Sequence, residues 1–254
     1  MEDTEDENVQ AQPRWPWFAA GVLLFASAAL TAVSVHLHWI PCRGSMLNGT
    51  VFATTATAEL TDACLARMDT GLPFPYPPEI AEQAPWASEL AGIAMVLAVA
   101  AWVVLVLGLR LRRKTRSVAL IAAVVPTLVA VMGLSAALNR RRDPDAYISG
   151  WLWIAVDVVA VVVMVVLWRR NTELRSGVLP GLAFVLWGAT AFGMAHSIAE
   201  YMGMLLFNQN NWDTPPGTGW VTVAVLVIAG SASFWFGGRR HESPTVAGLV
   251  SPAP

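Results

Sequence analysis

Long runs of apolar residues alternate along this chain with short polar connections. Each run has about the 20 residues that an α-helix needs to cross a hydrocarbon core of roughly 30 Å. Lipid offers the backbone no hydrogen-bonding partner, so such a run crosses as a helix. The unbroken apolar stretch from Val158 to Leu167 differs from the residue-by-residue alternation of a membrane β-barrel. The pattern predicts six transmembrane helices, at about 17–38, 86–109, 117–138, 148–167, 178–198 and 219–237.

Composition agrees with a membrane protein. Hydrophobic residues make up 56% of the chain and charged residues 13%, whereas about 25% of residues are charged in a soluble domain. We therefore predict an all-α integral membrane protein whose six-helix domain covers residues 16–238. The acidic segment 1–15 and the segment 239–254 have too little apolar surface to offset the entropy of ordering, and we expect disordered tails. The abundance of Ala, Val and Arg beside a single Lys suggests a bacterial source.

The basic residues indicate an orientation, because Lys and Arg accumulate on the cytoplasmic side of a membrane. One set of connections holds 11 of them: Arg14, Arg110, Arg112, Arg113, Lys114, Arg116, Arg169, Arg170, Arg175, Arg239 and Arg240. The other set holds five: Arg43, Arg67, Arg140, Arg141 and Arg142. This asymmetry predicts that both termini are cytoplasmic and that the chain spans the plasma or inner membrane. The first run is long for a signal sequence and follows an acidic segment, so we expect it to remain as a span.

Both cysteines, Cys42 and Cys64, fall in the connection 40–85, which the orientation places outside the reducing cytosol. A disulfide is the expected state there. A redox-active pair is the alternative, but catalytic dithiols usually have Cys-x-x-Cys spacing. Around the second cysteine, Thr57–Met68 has the spacing of a short helix, and Leu72–Pro78 contains four prolines that favour an extended strap. The prediction is a structured, disulfide-linked outer loop.

Ionisable residues within spans are costly in lipid and often mark functional sites. Five of them are expected near the outer ends of the helices: His36, His38, Glu89, His196 and Glu200. A metal site is one interpretation of this set, since imidazole and carboxylate groups suit zinc or copper, and haem is a rarer one. No ligand spacing is diagnostic, so metal and cofactor stay unassigned. The alternative is structural, with His36, His38 and Glu200 in wet headgroup surroundings and His196 bonded to a neighbouring helix.

Asp157 is the most isolated charge, among β-branched apolar residues in the fourth run. An ionised carboxylate is heavily penalised at that depth, which favours a role in proton coupling. The structural alternative is a hydrogen bond to a neighbouring span through Ser135, Thr190 or His196.

The run Arg140–Arg142 is the one basic cluster on the outer side that topology does not explain. Guanidinium groups pair with phosphate or carboxylate in a bidentate manner, so an anion contact is one interpretation. A salt-bridged turn with Asp143 and Asp145, or contact with lipid phosphates, is the other.

Several activities lack their motifs. The chain has no phosphate-binding Gly-x4-Gly-Lys-Ser/Thr loop and no Gly-x-Ser-x-Gly turn, which argues against an ATP-driven pump and a serine hydrolase. The basic clusters are short topological connections, and no nucleic-acid partner is expected. Small-residue patches at Ala26–Ala29, Gly188–Gly193 and Gly230–Ser233 predict close helix packing.

Three functional hypotheses follow. The first is a non-enzymatic accessory subunit that binds a membrane-protein partner at the outer face. The second is a small proton-coupled transporter that uses Asp157. The third is a metal-dependent or redox enzyme at the outer histidine and glutamate residues.

Overall fold

The chain was analysed as a computed structural model that describes residues 13–42, 61–68, 86–139, 150–170, 177–207 and 217–239. These residues form helices, and no strand occurs among them. A 3-10 turn at Ile40–Cys42 follows the first helix. The α-helices are α1 (Trp15–Trp39), α2 (Asp62–Met68), α3 (Ala87–Gly108), α4 (Arg113–Asn139), α5 (Gly150–Arg170), α6 (Val178–Ala189), α7 (Met194–Phe207) and α8 (Trp220–Gly238).

The predicted membrane architecture is confirmed. Helices α1, α3, α4, α5 and α8 are each long and apolar enough to cross a bilayer, and α6 with α7 makes a sixth candidate span if the two are counted together. Apart from the fifth predicted span, the helix ends agree with the sequence-based boundaries to within about a turn. Which end of the bundle faces the cytoplasm stays a prediction.

The fifth predicted span differs from the expectation of one helix over 178–198. Helix α6 ends at Ala189, α7 begins at Met194, and the two axes meet at 76°. The hydropathy of the sequence does not fall at this point, because the intervening residues Thr190-Ala-Phe-Gly193 are small or apolar. The span is interrupted by local backbone geometry rather than by a polar segment.

The spans form a bundle in which α1 lies between α3 and α8. From α3 the order continues through α4 to α5, while α6 packs against α8 and also touches α3 and α5. Gly181 and Gly237 lie against Trp17, whereas Gly219 lies against Val35 at the other end of α1. The bundle therefore has two distinct ends. We call the end with Trp17 the arginine-rich end and the end with Val35 the disulfide end.

Small side chains hold the helices close together, as the sequence predicted. Gly188 packs against Ala229, and the ideal Cβ position of Gly230 lies 3.5 Å from the carbonyl oxygen of Gly21. Serine hydroxyls of neighbouring helices donate to backbone carbonyls across these contacts, from Ser27 to Ala94 at 2.7 Å and from Ser233 to Trp17 at 2.6 Å. Close approach and interhelical hydrogen bonds replace the hydrophobic effect, which gives little drive between helices in lipid.

The disulfide Cys42–Cys64 is present, and it fixes α2 on the disulfide end of the bundle. Both cysteines are buried with Val35, Trp39 and Met68 in one apolar cluster. The indole N–H of Trp39 donates to the carbonyl of Thr218 at 2.8 Å, in the turn before α8. The prediction of a disulfide-linked loop is thus confirmed for its described part. Helix α2 is fixed beside the end of α1, and that end of α1 is bonded to the turn before α8.

Several predicted features lie outside the described residues. These are the run Arg140–Arg142, the strap Leu72–Pro78, the first part of the helix predicted at Thr57–Met68, and the two terminal tails. For these segments the sequence-based predictions stay predictions.

Candidate functional site at the interrupted span

The break between α6 and α7 is a tight turn with its own hydrogen bonds. The hydroxyl of Thr190 donates to the carbonyl of Leu186 at 2.9 Å, and the Gly193 amide donates to the carbonyl of Thr190 at 2.9 Å. The first α-helical hydrogen bond of α7 runs from the Ser197 amide to the carbonyl of Gly193 at 3.1 Å. Helix α7 therefore starts beside α5 at the edge of the bundle, where Ala195 is exposed and Asp157 is half-buried. The amides of its first turn lack carbonyl partners in their own helix.

Asp157 caps the start of α7. Its Oδ2 accepts a hydrogen bond from the amide of Ala195 at 2.7 Å, and the amide of Met194 also interacts with this carboxylate. A carboxylate at a helix N-terminus satisfies free amides and complements the positive end of the helix dipole. The partner predicted for Asp157 was a side chain of another span. The structure instead pairs it with backbone amides, and it also interacts electrostatically with His196.

Gly193 makes this arrangement possible. A Cβ atom at Gly193 would lie 2.8 Å from both Cγ and Oδ2 of Asp157 and closer still to Oδ1. Real Cβ atoms do not approach other heavy atoms so closely. A side chain here would therefore displace the carboxylate from the helix start.

His196 follows directly in the first turn of α7. Its ring lies 5.8 Å from the ring of Trp187, measured between centroids, across the break. It interacts electrostatically with Asp157, yet neither ring nitrogen makes a hydrogen bond with the described part of the chain. The structure thus brings Asp157 and His196 together at one point. An imidazole beside a carboxylate is a pair of groups that can exchange a proton.

Glu200 is a second helix cap contributed from another element. Its Oε1 accepts hydrogen bonds from the amides of Gly219 and, at 3.0 Å, Val221, while Oε2 accepts one from the hydroxyl of Thr222 at 2.8 Å. These donors belong to the first turn of α8. The side chain is 3% exposed. Glu200 is therefore buried within the protein, whereas the structural alternative placed it in the hydrated headgroup region.

The other predicted site residues lie apart from this pair. His38 is fully buried near Arg67 of α2, which also differs from the expected wet surroundings. His36 is exposed on α1, and Glu89 is half-buried in the first turn of α3. Within the described ranges, no three His, Cys, Asp or Glu side chains come close enough to hold a metal ion. The metal-dependent hypothesis gains no supporting geometry there.

A small, mostly apolar cavity borders the break. It is lined by residues of α3, α4, α5, the end of α6 and the turn, namely Met95, Val99, Pro126, Val129, Val156, Ala189, Thr190, Phe192 and Gly193. Pro126 lies inside α4, where a proline removes one backbone hydrogen bond and allows the helix to bend. The cavity has room for about one water molecule, so the interrupted span packs closely against its neighbours.

Sequence reasoning missed three residues of this region. Gly193 and Ala195 belong to the site through their backbones, and Gly219 has φ of 112°, a value that strongly favours glycine. The signal available in the sequence was the pair Gly188 and Gly193 inside an apolar run, which also fits close helix packing.

Comparison with known proteins gave no match to a family model, to a curated protein or to a solved structure.

Proposed function

We propose that this chain is a small proton-coupled membrane carrier in which Asp157 is the proton-binding group. The observation that supports it is the hydrogen bond from the Ala195 amide to the Asp157 carboxylate. This bond holds a half-buried carboxylate of one span against the N-terminus of a half-helix, at a position where Ala195 itself is exposed. Interrupted helices whose ends face a binding site near the middle of the membrane are a recurrent feature of secondary transporters.

The cap gives a physical route from protonation to movement. An ionised Asp157 attracts the positive end of the α7 dipole and accepts strong hydrogen bonds from its amides. A neutral carboxyl group loses that attraction and becomes a weaker acceptor. Interactions of this kind are worth about 1 kcal/mol each, enough to shift a nearly balanced equilibrium several-fold. Protonation of Asp157 therefore favours release of the start of α7 from α5.

His196 extends this route. His196 follows the capped residue Ala195 directly in the chain, and its ring interacts electrostatically with the Asp157 carboxylate. We infer that it receives or supplies the proton that Asp157 binds, because imidazole is the side chain best suited to proton exchange near neutral pH. When α7 moves, His196 moves with it, whereas Asp157 stays on α5. His196 and Asp157 then separate, so that proton exchange between them depends on the position of α7.

Replacement of Asp157 by asparagine tests the proposal. Purified protein is reconstituted into liposomes that contain a pH-sensitive dye, and a potassium diffusion potential drives proton uptake. We expect uptake by the unaltered protein and a decrease of about tenfold or more in Asp157→Asn, because an amide cannot carry the proton. Its oxygen can still accept the Ala195 hydrogen bond, so the fold should persist.

Asp62→Asn is the matched control, since Asp62 is an exposed carboxylate of α2, and it should retain full uptake. Gly193→Ala leaves every titratable group in place but displaces Asp157, and should lose uptake. Gly203→Ala should not, because nothing lies within 4 Å of that position. Uptake no faster than in protein-free liposomes, or unchanged uptake by a folded Asp157→Asn variant, would exclude the proposal.

An accessory subunit is the second candidate function, and the exposure of α5 favours it. Only 22% of the most apolar stretch of α5 is buried, whereas the corresponding values for α1, α3, α4 and α8 are 39–56%. A span covered so little by its own bundle has more surface to offer to another membrane protein.

Site-specific photo-crosslinking in native membranes tests this candidate. Val161 of α5 and Val124 of α4 are both 62% exposed, so they form a matched pair of probe positions. We expect a discrete protein adduct from position 161 and lipid adducts alone from position 124. Lipid adducts alone from both positions would count against a partner on α5.

A further inference from the structure

Helix α7 is held by two carboxylates, one near its start and one further along. At the start, Asp157 of α5 accepts the amide of Ala195. Further along, Glu200 of α7 itself accepts the amides of Gly219 and Val221 at the start of α8. With a rise of about 1.5 Å per residue, the two attachment points lie about 7.5 Å apart along the helix axis. The helix therefore cannot leave α5 as a whole unless it also leaves α8.

Of these two attachments, the one at Glu200 is the firmer. Its Oε2 accepts the hydroxyl of Thr222 at 2.8 Å, in addition to the two amides at Oε1. The Glu200 side chain is buried, whereas Asp157 is half-buried. A hydrogen bond is electrostatically stronger where the surroundings have a low dielectric constant, so burial strengthens the bonds of Glu200. The attachment at Asp157 is the weaker of the two.

The first turn of α8 is itself fixed to the end of α1. The carbonyl of Thr218 accepts the indole N–H of Trp39 at 2.8 Å, and Gly219 lies directly against the side chain of Val35. Both Val35 and Trp39 belong to the buried apolar cluster that contains the disulfide. A continuous series of contacts thus leads from the disulfide, through the end of α1 and the start of α8, to Glu200 on α7.

We propose that Glu200 is the pivot of α7 and that the disulfide end of the bundle is the fixed support of this pivot. Glu200, with Thr222 and Trp39 behind it, is a positioning residue that keeps the first turn of α7 where Asp157 can cap it. When Asp157 is protonated, the start of α7 turns about Glu200 and leaves α5. At a distance of about 7.5 Å, a rotation of about 20° moves the helix start by about 2.5 Å, which is enough to break its hydrogen bond to Asp157. The movement rests on the proposed carrier function, whereas the support does not.

Hydrogen exchange at the start of α7 tests the pivot. Full-length protein in lipid nanodiscs is exchanged into heavy water, and the amides of residues 194–198 are followed by mass spectrometry. Thr222→Val keeps the shape of the side chain but removes the donor to Oε2 of Glu200. We expect exchange at 194–198 to become about threefold faster or more, because the start of α7 opens more often. Thr222→Ser retains the hydroxyl and should restore the rate of the unaltered protein.

Ser233→Ala is the matched control on the same helix. It removes another interhelical hydrogen bond of α8, at 2.6 Å to the carbonyl of Trp17, at the arginine-rich end of the bundle. Exchange at 194–198 should stay unchanged in this variant. A similar acceleration in Ser233→Ala would overturn the proposal, since it would reflect a general loss of stability. Unchanged exchange in a folded Thr222→Val variant would overturn it as well.

Trp39→Phe tests the support at its far end. The substitution keeps an aromatic ring in the cluster around the disulfide but removes the indole N–H that donates to Thr218. We expect exchange at 194–198 to become about twofold faster. Trp102→Phe removes an equivalent hydrogen bond, at 3.0 Å to the carbonyl of Ala119 between α3 and α4, and should leave that exchange unchanged. Equal rates in Trp39→Phe and the unaltered protein would show that the disulfide end does not support α7.

Exchange does not depend on transport, so the two proposals can fail separately. If uptake into liposomes persists in Asp157→Asn, the carrier function is excluded, while the exchange rates still decide whether α7 is held through Glu200. If uptake depends on Asp157 but exchange is the same in Thr222→Val as in the unaltered protein, only the pivot is excluded.

Discussion

Replacing Glu200 with alanine is expected to lower the free energy of unfolding by about 3 kcal/mol. The carboxylate accepts hydrogen bonds from the Gly219 and Val221 amides and from the Thr222 hydroxyl, and alanine leaves these donors without an acceptor in a buried position. The Trp220 amide is already satisfied by the carbonyl of Gly217, so the loss is confined to the Glu200 partners. Unfolding by a denaturing detergent in mixed micelles, followed by tryptophan fluorescence, measures the change.

Glu200→Gln separates charge from hydrogen bonding. Its side-chain oxygen can still accept from the α8 amides, but it cannot interact as an anion with the helix dipole, so we expect a smaller loss than for alanine. Asp62→Ala, at an exposed acid in the first turn of α2, controls for removal of a carboxylate and should change stability by about 0.5 kcal/mol or less. A Glu200→Ala variant within that same range would show that the cap contributes little.

Gly219→Ala is expected to have a similarly large effect, again of about 3 kcal/mol. The residue has φ of 112°, where a side chain strains the backbone, and a Cβ atom would run into the Cγ atoms of Val35. Each of these terms costs about 1–3 kcal/mol. The same unfolding assay measures the combined change.

The double variant Val35→Ala, Gly219→Ala distinguishes the two terms. Truncating Val35 removes the steric conflict but leaves the backbone strain, so the two substitutions should be coupled by about 1–2 kcal/mol in a double-mutant cycle. Gly203→Ala, in open surroundings within α7, should be neutral or slightly stabilising. Additive effects of the two substitutions would mean that Val35 and Gly219 are not in contact.

The spans and the disulfide were predictable because both depend on residue type and on position along the chain. A hydrocarbon core demands apolar runs of a fixed length, and two cysteines in one outer connection have few alternatives to pairing. The interruption of the fifth span was not predictable in this way. Thr190-Ala-Phe-Gly193 is as compatible with lipid as a helix would be, so hydropathy cannot register a change of direction.

The candidate site was predictable in part. Asp157 stood out because a charge at membrane depth needs a partner, but the partner is the amide of Ala195, and a backbone donor has no sequence signature. The same holds for Glu200, whose partners are mostly amides of α8. The burial of Glu200 depends on the direction of α7 after the 76° bend. The position of both acids thus follows from tertiary geometry that residue types alone do not determine.

The central place of α1 has a consequence for how the protein is made. Helix α1 can pack against α3 as soon as the second span is inserted. Its contacts with α8, including the hydrogen bond from Ser233 to the Trp17 carbonyl, require that α8 has been synthesised. The hydrogen bond between Trp39 and Thr218 joins residues that are 179 positions apart in the sequence. Packing of α1 against α8 therefore cannot be completed until α8 has been synthesised, and the face of α1 that α8 covers stays open until then.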